Sequence, residues 1–339
     1  VMDIKQALNK IADGKDLTGE EMRGVMRIIM AGEATPAQIG AFLMGMRIKG
    51  ETVGEIAAAV SILREQMVPV SAPDDAIDIV GTGGDGVGSL NISTATALVV
   101  AAAGVPVAKH GNKALSSKSG SSQALEALGV KLDLTPEQIG QTIAGANIGF
   151  MFAPSHHPAM RHVGPARAEM GVRTLFNLLG PQSNPAGVRR YLLGVYAQEW
   201  VEPVAAALLA NRATKAWVVH SSEGLDELST SGPNFVAQIA NGDLRSFELH
   251  PEQVGLKLTD PKDLLGSEPS ENAAAIVALL DGAPGAYRDT VLLNAGAALL
   301  VADRVETIED GIALARDTID SGKAKQTLAR LVAVSNGRA

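Results

Sequence analysis

Between an apolar run, Ile77-Asp78-Ile79-Val80, and an alanine-rich segment headed by Asn91-Ile92-Ser93-Thr94, the chain places Gly81-Thr82-Gly83-Gly84-Asp85-Gly86. The order is strand, glycine turn, helix. Such a turn lets main-chain amides approach oxyanions closely, and the helix that follows adds free N–H groups and partial positive charge. A phosphate site in an α/β fold is the expectation.

The run also satisfies the G-x-G-x-x-G pattern of dinucleotide-binding folds. A nicotinamide site needs an acid about 20 positions on, at the end of the next strand, to hold the ribose hydroxyls. Here that strand ends in Lys109-His110, and the acid, Asp85, lies inside the turn. The hydroxyl-rich Ser89 to Thr94 stretch suits a sugar phosphate better than a dinucleotide.

The first seventy residues read as short helices with apolar stripes at helical spacing. Thr18 with Glu21, Thr35 with Gln38 and Thr52 with Glu55 are capping boxes, Pro36 opens a helix and Gly50 ends one. After Pro69 and Ser71-Ala72-Pro73-Asp74-Asp75 the pattern changes to strands alternating with helices, the signature of a mostly parallel sheet. The expected fold is therefore α/β: a small helical domain over 1–70, with a helical contribution from about 155–190, and a larger α/β domain over 71–339. Strands are expected at 77–80, 105–108, 149–152, 216–220 and 235–239. From Pro154 to Pro185 the alternation breaks into an excursion with five prolines and the basic series Arg161, Arg167 and Arg173. From about Asn272 the chain returns to amphipathic helix.

The loop leaving the second strand, Lys109 to Ser121, packs three lysines and four serines into thirteen positions. The chain as a whole carries a net charge of −8, so an anionic ligand must be caught locally. That charge, with 3% aromatic residues, argues against nucleic acid. No apolar run is long enough to span a bilayer and the start lacks the pattern of an export signal, so a cytoplasmic protein is expected. The absence of cysteine removes thiolate nucleophiles and sulfur-ligated metals.

Gly-Thr-Gly-Gly-Asp-Gly, Asn-Ile-Ser-Thr, Lys-His-Gly-Asn and Ser-Ser-Lys-Ser-Gly-Ser, in this order, resemble the anthranilate phosphoribosyltransferases. The resemblance runs nearly end to end and includes Gly171 to Pro181 and Gly224-Leu225-Asp226-Glu227. It implies transfer of the phosphoribosyl group of 5-phosphoribosyl 1-diphosphate to the amine of anthranilate, a step of tryptophan biosynthesis, with Mg2+. By resemblance the donor is held by Gly81, Gly84, Asp85, Ser89, Asn91, Ile92, Ser93 and Thr94. Lys109, His110, Gly111, Asn112, Lys113, Ser116, Ser117 and Ser121 complete that set. Gly81, His110, Asn112 and Arg167 are assigned to anthranilate, and Ser93, Asp226 and Glu227 to magnesium.

A guanidinium at Arg167 can pair with the anthranilate carboxylate, and adjacent carboxylates suit a hard cation. No nucleophile triad is present, and none is needed when the leaving group is diphosphate. The resemblance also implies a homodimer. A pyrimidine nucleoside phosphorylase, the alternative with this type of architecture, would need a phosphate and nucleobase site in place of the Lys-His-Gly-Asn and Arg167 groups. A non-catalytic nucleic-acid-binding paralogue would be expected to lose the donor motifs and gain basic surface. Three positions depart from the family pattern: Leu90 for phenylalanine, Lys113 for arginine and Gln182 for an apolar residue.

Overall fold

The computed structural model describes residues 1–113 and 118–338; the expected donor contacts Ser116 and Ser117 lie outside the described residues. The chain opens with helices α1 (Ile4–Ala12), α2 (Gly19–Met30), α3 (Pro36–Lys49) and α4 (Val53–Gln66). All three expected capping boxes are formed, and Asp3 with Gln6 makes a fourth. Each box satisfies two otherwise unpaired main-chain donors, so the helix starts are set locally. The stripes Met22-Met26-Ile29, Ile39-Phe42-Leu43-Met46 and Ile56-Ala59-Val60-Leu63 are all buried. Glu55 adds a polar tie: one of its carboxylate oxygens accepts Lys49 Nζ at 2.7 Å, the other the Leu17 N–H at 2.9 Å.

Seven strands follow among the described residues: β1 (Ile77–Gly81), β2 (Val107–Gly111), β3 (Ile148–Phe152), β4 (Arg190–Gly194), β5 (Lys215–Ser221), β6 (Asn234–Ala240) and β7 (Asp243–Leu249). They form one sheet in the order β3-β2-β1-β4-β5-β6-β7, with β1 to β5 parallel and β6 and β7 antiparallel. Two strands, β4 and β7, were not expected. The apolar part of β4 is only Tyr191-Leu192-Leu193, and β7 is a charged edge strand with Asp243, Arg245 and Glu248 exposed. The second strand starts at Val107 and not Val105, because Pro106 has no N–H to give to a ladder.

The remaining helices are α5 (Ile92–Ala102), α6 (Ser121–Ala127), α7 (Pro136–Ala146), α8 (Ala153–His156), α9 (Gly164–Met170), α10 (Phe176–Leu179), α11 (Val201–Ala210), α12 (Pro269–Leu280), α13 (Ala286–Val301), α14 (Ile308–Asp320) and α15 (Lys323–Ser335). Successive strand residues face opposite sides. Val80, Tyr191, Leu193 and Val218 pack with α1 to α4 and α11. Ile79, Leu192, Trp217 and Val219 pack with α5 and α12 to α15. The excursion is helical: α9 lies on α3 and α10 on α4. Arg64 fastens that junction, donating to the Gln182 carbonyl at 2.7 and 3.0 Å and to Tyr191 Oη at 3.2 Å. No helix among the described residues is long and apolar enough to cross a membrane.

Candidate active site

Strands β1, β2 and β3 run outward in sequence, and the chain then returns to lay β4 on the other side of β1. The reversal leaves a crevice at the carboxyl ends of β1 and β4, the place where open parallel sheets bind ligands. Two glycines stand there in register, Gly81 and Gly194, joined by Thr82 N–H donating to the Gly194 carbonyl at 2.9 Å. The loop after β5 folds over both: a Cβ on Gly81 would strike the Asp226 carboxylate, and one on Gly194 the Asp226 main chain. Both positions therefore need glycine for close approach.

Local chemistry builds that loop. Ser221 accepts the Leu225 N–H on its hydroxyl at 2.8 Å and donates its own N–H to the Leu225 carbonyl at 3.0 Å. Gly224 takes φ +98°, and Leu225 is buried with Ile92 and Leu264. Asp226 and Glu227 are thereby held over the glycine turn. Asp226 Oδ2 accepts the Gly83 N–H at 2.8 Å, and the Asp226 N–H reaches Asp85 Oδ2 at 3.3 Å. Asp85 in turn accepts the Val87 N–H at 3.1 Å.

Three acids thus lie together at the glycine turn. Burial and then the neighbouring Asp85 carboxyl push the Asp226 pKa up. Burial, Asp226 and Asp85 push Glu227 well above the ordinary range, against the opposing pull of Lys109 and the Ser93 N–H. Carboxylates crowded in this way fit a divalent cation, which would relieve both desolvation and repulsion. Among the described residues no group of three or more acids or histidines forms a ready cage. Magnesium does not need one, since it binds through one or two carboxylates together with substrate phosphates.

The helix after the turn contributes Ser93, half-buried, and Thr94, buried with an unpartnered hydroxyl. Its start is pinned from three sides: Tyr287 Oη donates to the Asn91 carbonyl at 2.9 Å, Asn91 Nδ2 donates to the Ser119 carbonyl at 3.2 Å, and Ser89 bridges Leu265. From β2, the Lys109 and His110 side chains are buried, whereas Asn112 and Lys113 are exposed. Lys109 Nζ turns inward and donates to the Ile79 carbonyl at 2.6 Å. Burial lowers its pKa, opposed by Asp78, Glu227 and Asp226. Gly111 lies against Ser121 Oγ and the Phe150 ring, with no room for a Cβ.

Arg167 sits on α9 with its guanidinium 5.5 Å from the Phe176 ring centroid. Burial lowers its pKa and no acid contributes to the shift, so among the described residues this half-buried cation has no anionic counterpart. The His110 and His157 rings meet with centroids 5.2 Å apart and planes tilted by 54°, tied to the Gly180 and Ser183 main chain respectively. The Nε2 atoms of both are buried and unpartnered. Sequence reasoning missed Gly194, His157 and Arg173. Arg173 lies over the Tyr196 ring at 4.3 Å and near Gly84. The basic series had pointed toward Arg173; nothing local marked Gly194, whose role comes from a strand that was not foreseen.

Known proteins share this sequence and fold. Residues 73–325 match the family model described as glycosyl transferase family, a/b domain, and residues 5–67 match its helical bundle domain. The anthranilate phosphoribosyltransferase of Parvibaculum lavamentivorans is 58% identical, with 99% of this chain and 98% of that protein aligned. The chain belongs to the anthranilate phosphoribosyltransferase family. A second family member, from Afipia carboxidovorans, is 57% identical over 98% of this chain and 99% of its own length. The crystal structure of the family member from Thermus thermophilus superposes with a TM-score of 0.92 at 46% identity, covering 97% of this chain and 99% of that one. The Saccharomyces cerevisiae enzyme in complex with PRPP and Mg superposes at 0.89 with 25% identity, covering 98% of both chains.

Proposed function

We propose that this chain transfers the phosphoribosyl group of 5-phosphoribosyl 1-diphosphate to anthranilate, giving N-(5-phosphoribosyl)anthranilate and diphosphate. The observation that carries the reading is the crevice over Gly81 and Gly194, where a glycine turn and three acids meet. Gly81, Gly84, Asp85, Ser89, Asn91, Ile92, Ser93 and Thr94 line the donor on one side. The β2 exit, His110 to Lys113, with Ser116, Ser117 and Ser121, lines it on the other. Asp226 and Glu227, with Ser93, would hold magnesium, which supplies positive charge to the departing diphosphate.

In the reaction the bond from ribose C1 to the diphosphate oxygen breaks with its electron pair leaving on oxygen. The anthranilate nitrogen then bonds to C1 and loses a proton. The residues orient the two substrates and offset charge as C1 becomes oxocarbenium-like. Arg167 pairs with the anthranilate carboxylate, its guanidinium having no acid of its own, while Asn112, His110 and the Gly81 main chain border the ring. Lys109 acts from beneath, as a positive charge buried beside the acids and not as a contact to diphosphate oxygen. We also take the helical and α/β units to part near residue 70, with 155–190 lending helices to the first, and the active form to be a cytoplasmic homodimer.

The test is direct: the chain, Mg2+, 5-phosphoribosyl 1-diphosphate and anthranilate are mixed and anthranilate fluorescence is followed. Its loss, dependent on all components, is expected. Undiminished fluorescence refutes the reading.

A further inference from the structure

Strands β1 and β2 pair in register at Ile77 and Val107, whereas β1 with β4 and β2 with β3 pair along five residues each. Beyond Ile77 the main-chain groups that would continue the ladder are met by side chains. Asp78 Oδ1 accepts the His110 N–H at 3.2 Å, and its carboxyl also takes the Ile79 N–H. Lys109 Nζ fills the Ile79 carbonyl, and Asn184 Nδ2 donates to the Ala108 carbonyl at 2.9 Å. The same Asn184 nitrogen donates to Asp78 Oδ2 at 2.8 Å, while Asn184 Oδ1 accepts the Ala186 N–H at 2.8 Å. Asp78 and Asn184 are wholly buried and Lys109 nearly so.

A main-chain ladder would satisfy those groups without burying a charge. Burial instead pushes the Asp78 pKa to about 6, despite Lys109, Asn184 and two N–H donors that favour its ionised form. A buried ionic wedge in place of ordinary pairing breaks a local rule of sheet building, and such breaks concentrate where function requires them. The wedge lies one turn of chain below the site. β1 continues into the glycine turn with Gly84 and Asp85, and β2 into the loop with Asn112 and Lys113.

Building on the proposed transferase reading, we infer that Asp78 and Asn184 are positioning residues for the phosphoribosyl donor. Their side chains hold β1 and β2 apart at their carboxyl ends, and this separation sets the distance between the two loops that grip the donor. Arg167 hangs from α9, outside the wedge, so the partner of the anthranilate carboxylate keeps its place, while Gly81, His110 and Asn112 beside the ring shift with the strand ends.

Asp78→Asn turns an amide nitrogen toward either the His110 N–H or Asn184 Nδ2, setting donor against donor. Its KM for 5-phosphoribosyl 1-diphosphate should rise roughly tenfold, with a clearly smaller rise, about two- to threefold, in the KM for anthranilate, whose carboxylate stays on Arg167. Asn184→Ala leaves Asp78 to hold His110 and should give a smaller rise of about three- to fivefold with the same split. Circular dichroism and melting establish that the variants are folded. Equal rises in both KM values, unchanged KM values, or failure of both variants to fold each overturn the proposal, the last because the wedge would then serve folding alone. If the unaltered chain consumes no anthranilate, the transferase reading fails instead. Calorimetric titration with 5-phosphoribosyl 1-diphosphate and Mg2+ then still reads donor affinity in both variants.

Discussion

A Cβ on Gly194 would fall on the main-chain carbonyl of Asp226, so the end of β4 and the carboxylate loop touch backbone to backbone. With that Cβ well inside the contact distance of the oxygen, Gly194→Ala must move the loop by more than about 1 Å, and misplacement on this scale costs on the order of a hundredfold in rate. We expect turnover to fall by about that factor in a chain that still folds. Gly24→Ala is the control: on α2, nothing stands within 4 Å of the added carbon. It should raise stability by about 0.5–1 kcal/mol and leave turnover unchanged. Parallel assays and melting curves decide; full activity in Gly194→Ala would mean the loop is not held in the way described.

Asp226→Asn and Glu227→Gln remove charges that burial and mutual repulsion disfavour. Melting temperatures should hold or rise, while turnover falls at least about a hundredfold at fixed magnesium. Titration of activity with Mg2+ should show the requirement shifted upward in each variant. Wild-type kinetics in both would remove these two residues from the metal site.

Much of this was legible in the residues because it is written locally. Capping boxes fix the starts of α2, α3 and α4 without help from the rest of the fold, and the glycine turn announces the crevice because positive φ at Gly83, Gly84 and Gly86 demands that residue. What escaped is tertiary. Strand β4 is short and ordinary in sequence, and only its return beside β1 makes Gly194 part of the site. His157 acquires its place through the His110 ring, 47 residues earlier in the chain. Lys109 was expected to reach the donor, and its turn toward Ile79 follows from a strand separation that no periodicity encodes. Of the three departures from the family pattern, Gln182 is fully buried and donates Nε2 to the Leu178 carbonyl at 2.8 Å, but its Oε1 is buried without a partner, so nothing in the structure explains an amide in place of an apolar residue. Nothing in the structure explains Leu90, which is half-buried, or the exposed Lys113.

Arg167→Ala should separate the two substrates. With no acid among the described residues to neutralise it, the guanidinium can pair with a ligand carboxylate. Loss of a charge-assisted pair of about 1.5–3 kcal/mol corresponds to a rise of roughly 10- to 150-fold in the KM for anthranilate, with the donor KM nearly constant. Steady-state kinetics with each substrate varied in turn give the answer. A comparable rise for both substrates would place Arg167 in the general architecture of the crevice and away from anthranilate.

In mild acid His157 makes a defined, unfavourable contribution to stability. Burial lowers its pKa to about 4, opposed by the tie to Ser183, while His156 adds to the lowering. A histidine whose folded-state pKa is depressed is charged more readily in the unfolded chain. The fold is therefore fully favoured above about pH 6.5 and loses stability as pH falls toward 4, by up to about 3 kcal/mol from this group. Burial also lowers His110 and His156, which add to the same trend. Asp78 and Asp226, raised to about 6 and about 7, titrate in the same window and act in the opposite sense, so the comparison is with His157→Gln, which keeps a polar side chain but has no proton to gain. Denaturant unfolding at steps from pH 7 to pH 4.5 should give a steeper fall for the unaltered chain than for His157→Gln. Parallel curves would show that the imidazole is protonated in the folded protein and is not held neutral by its burial.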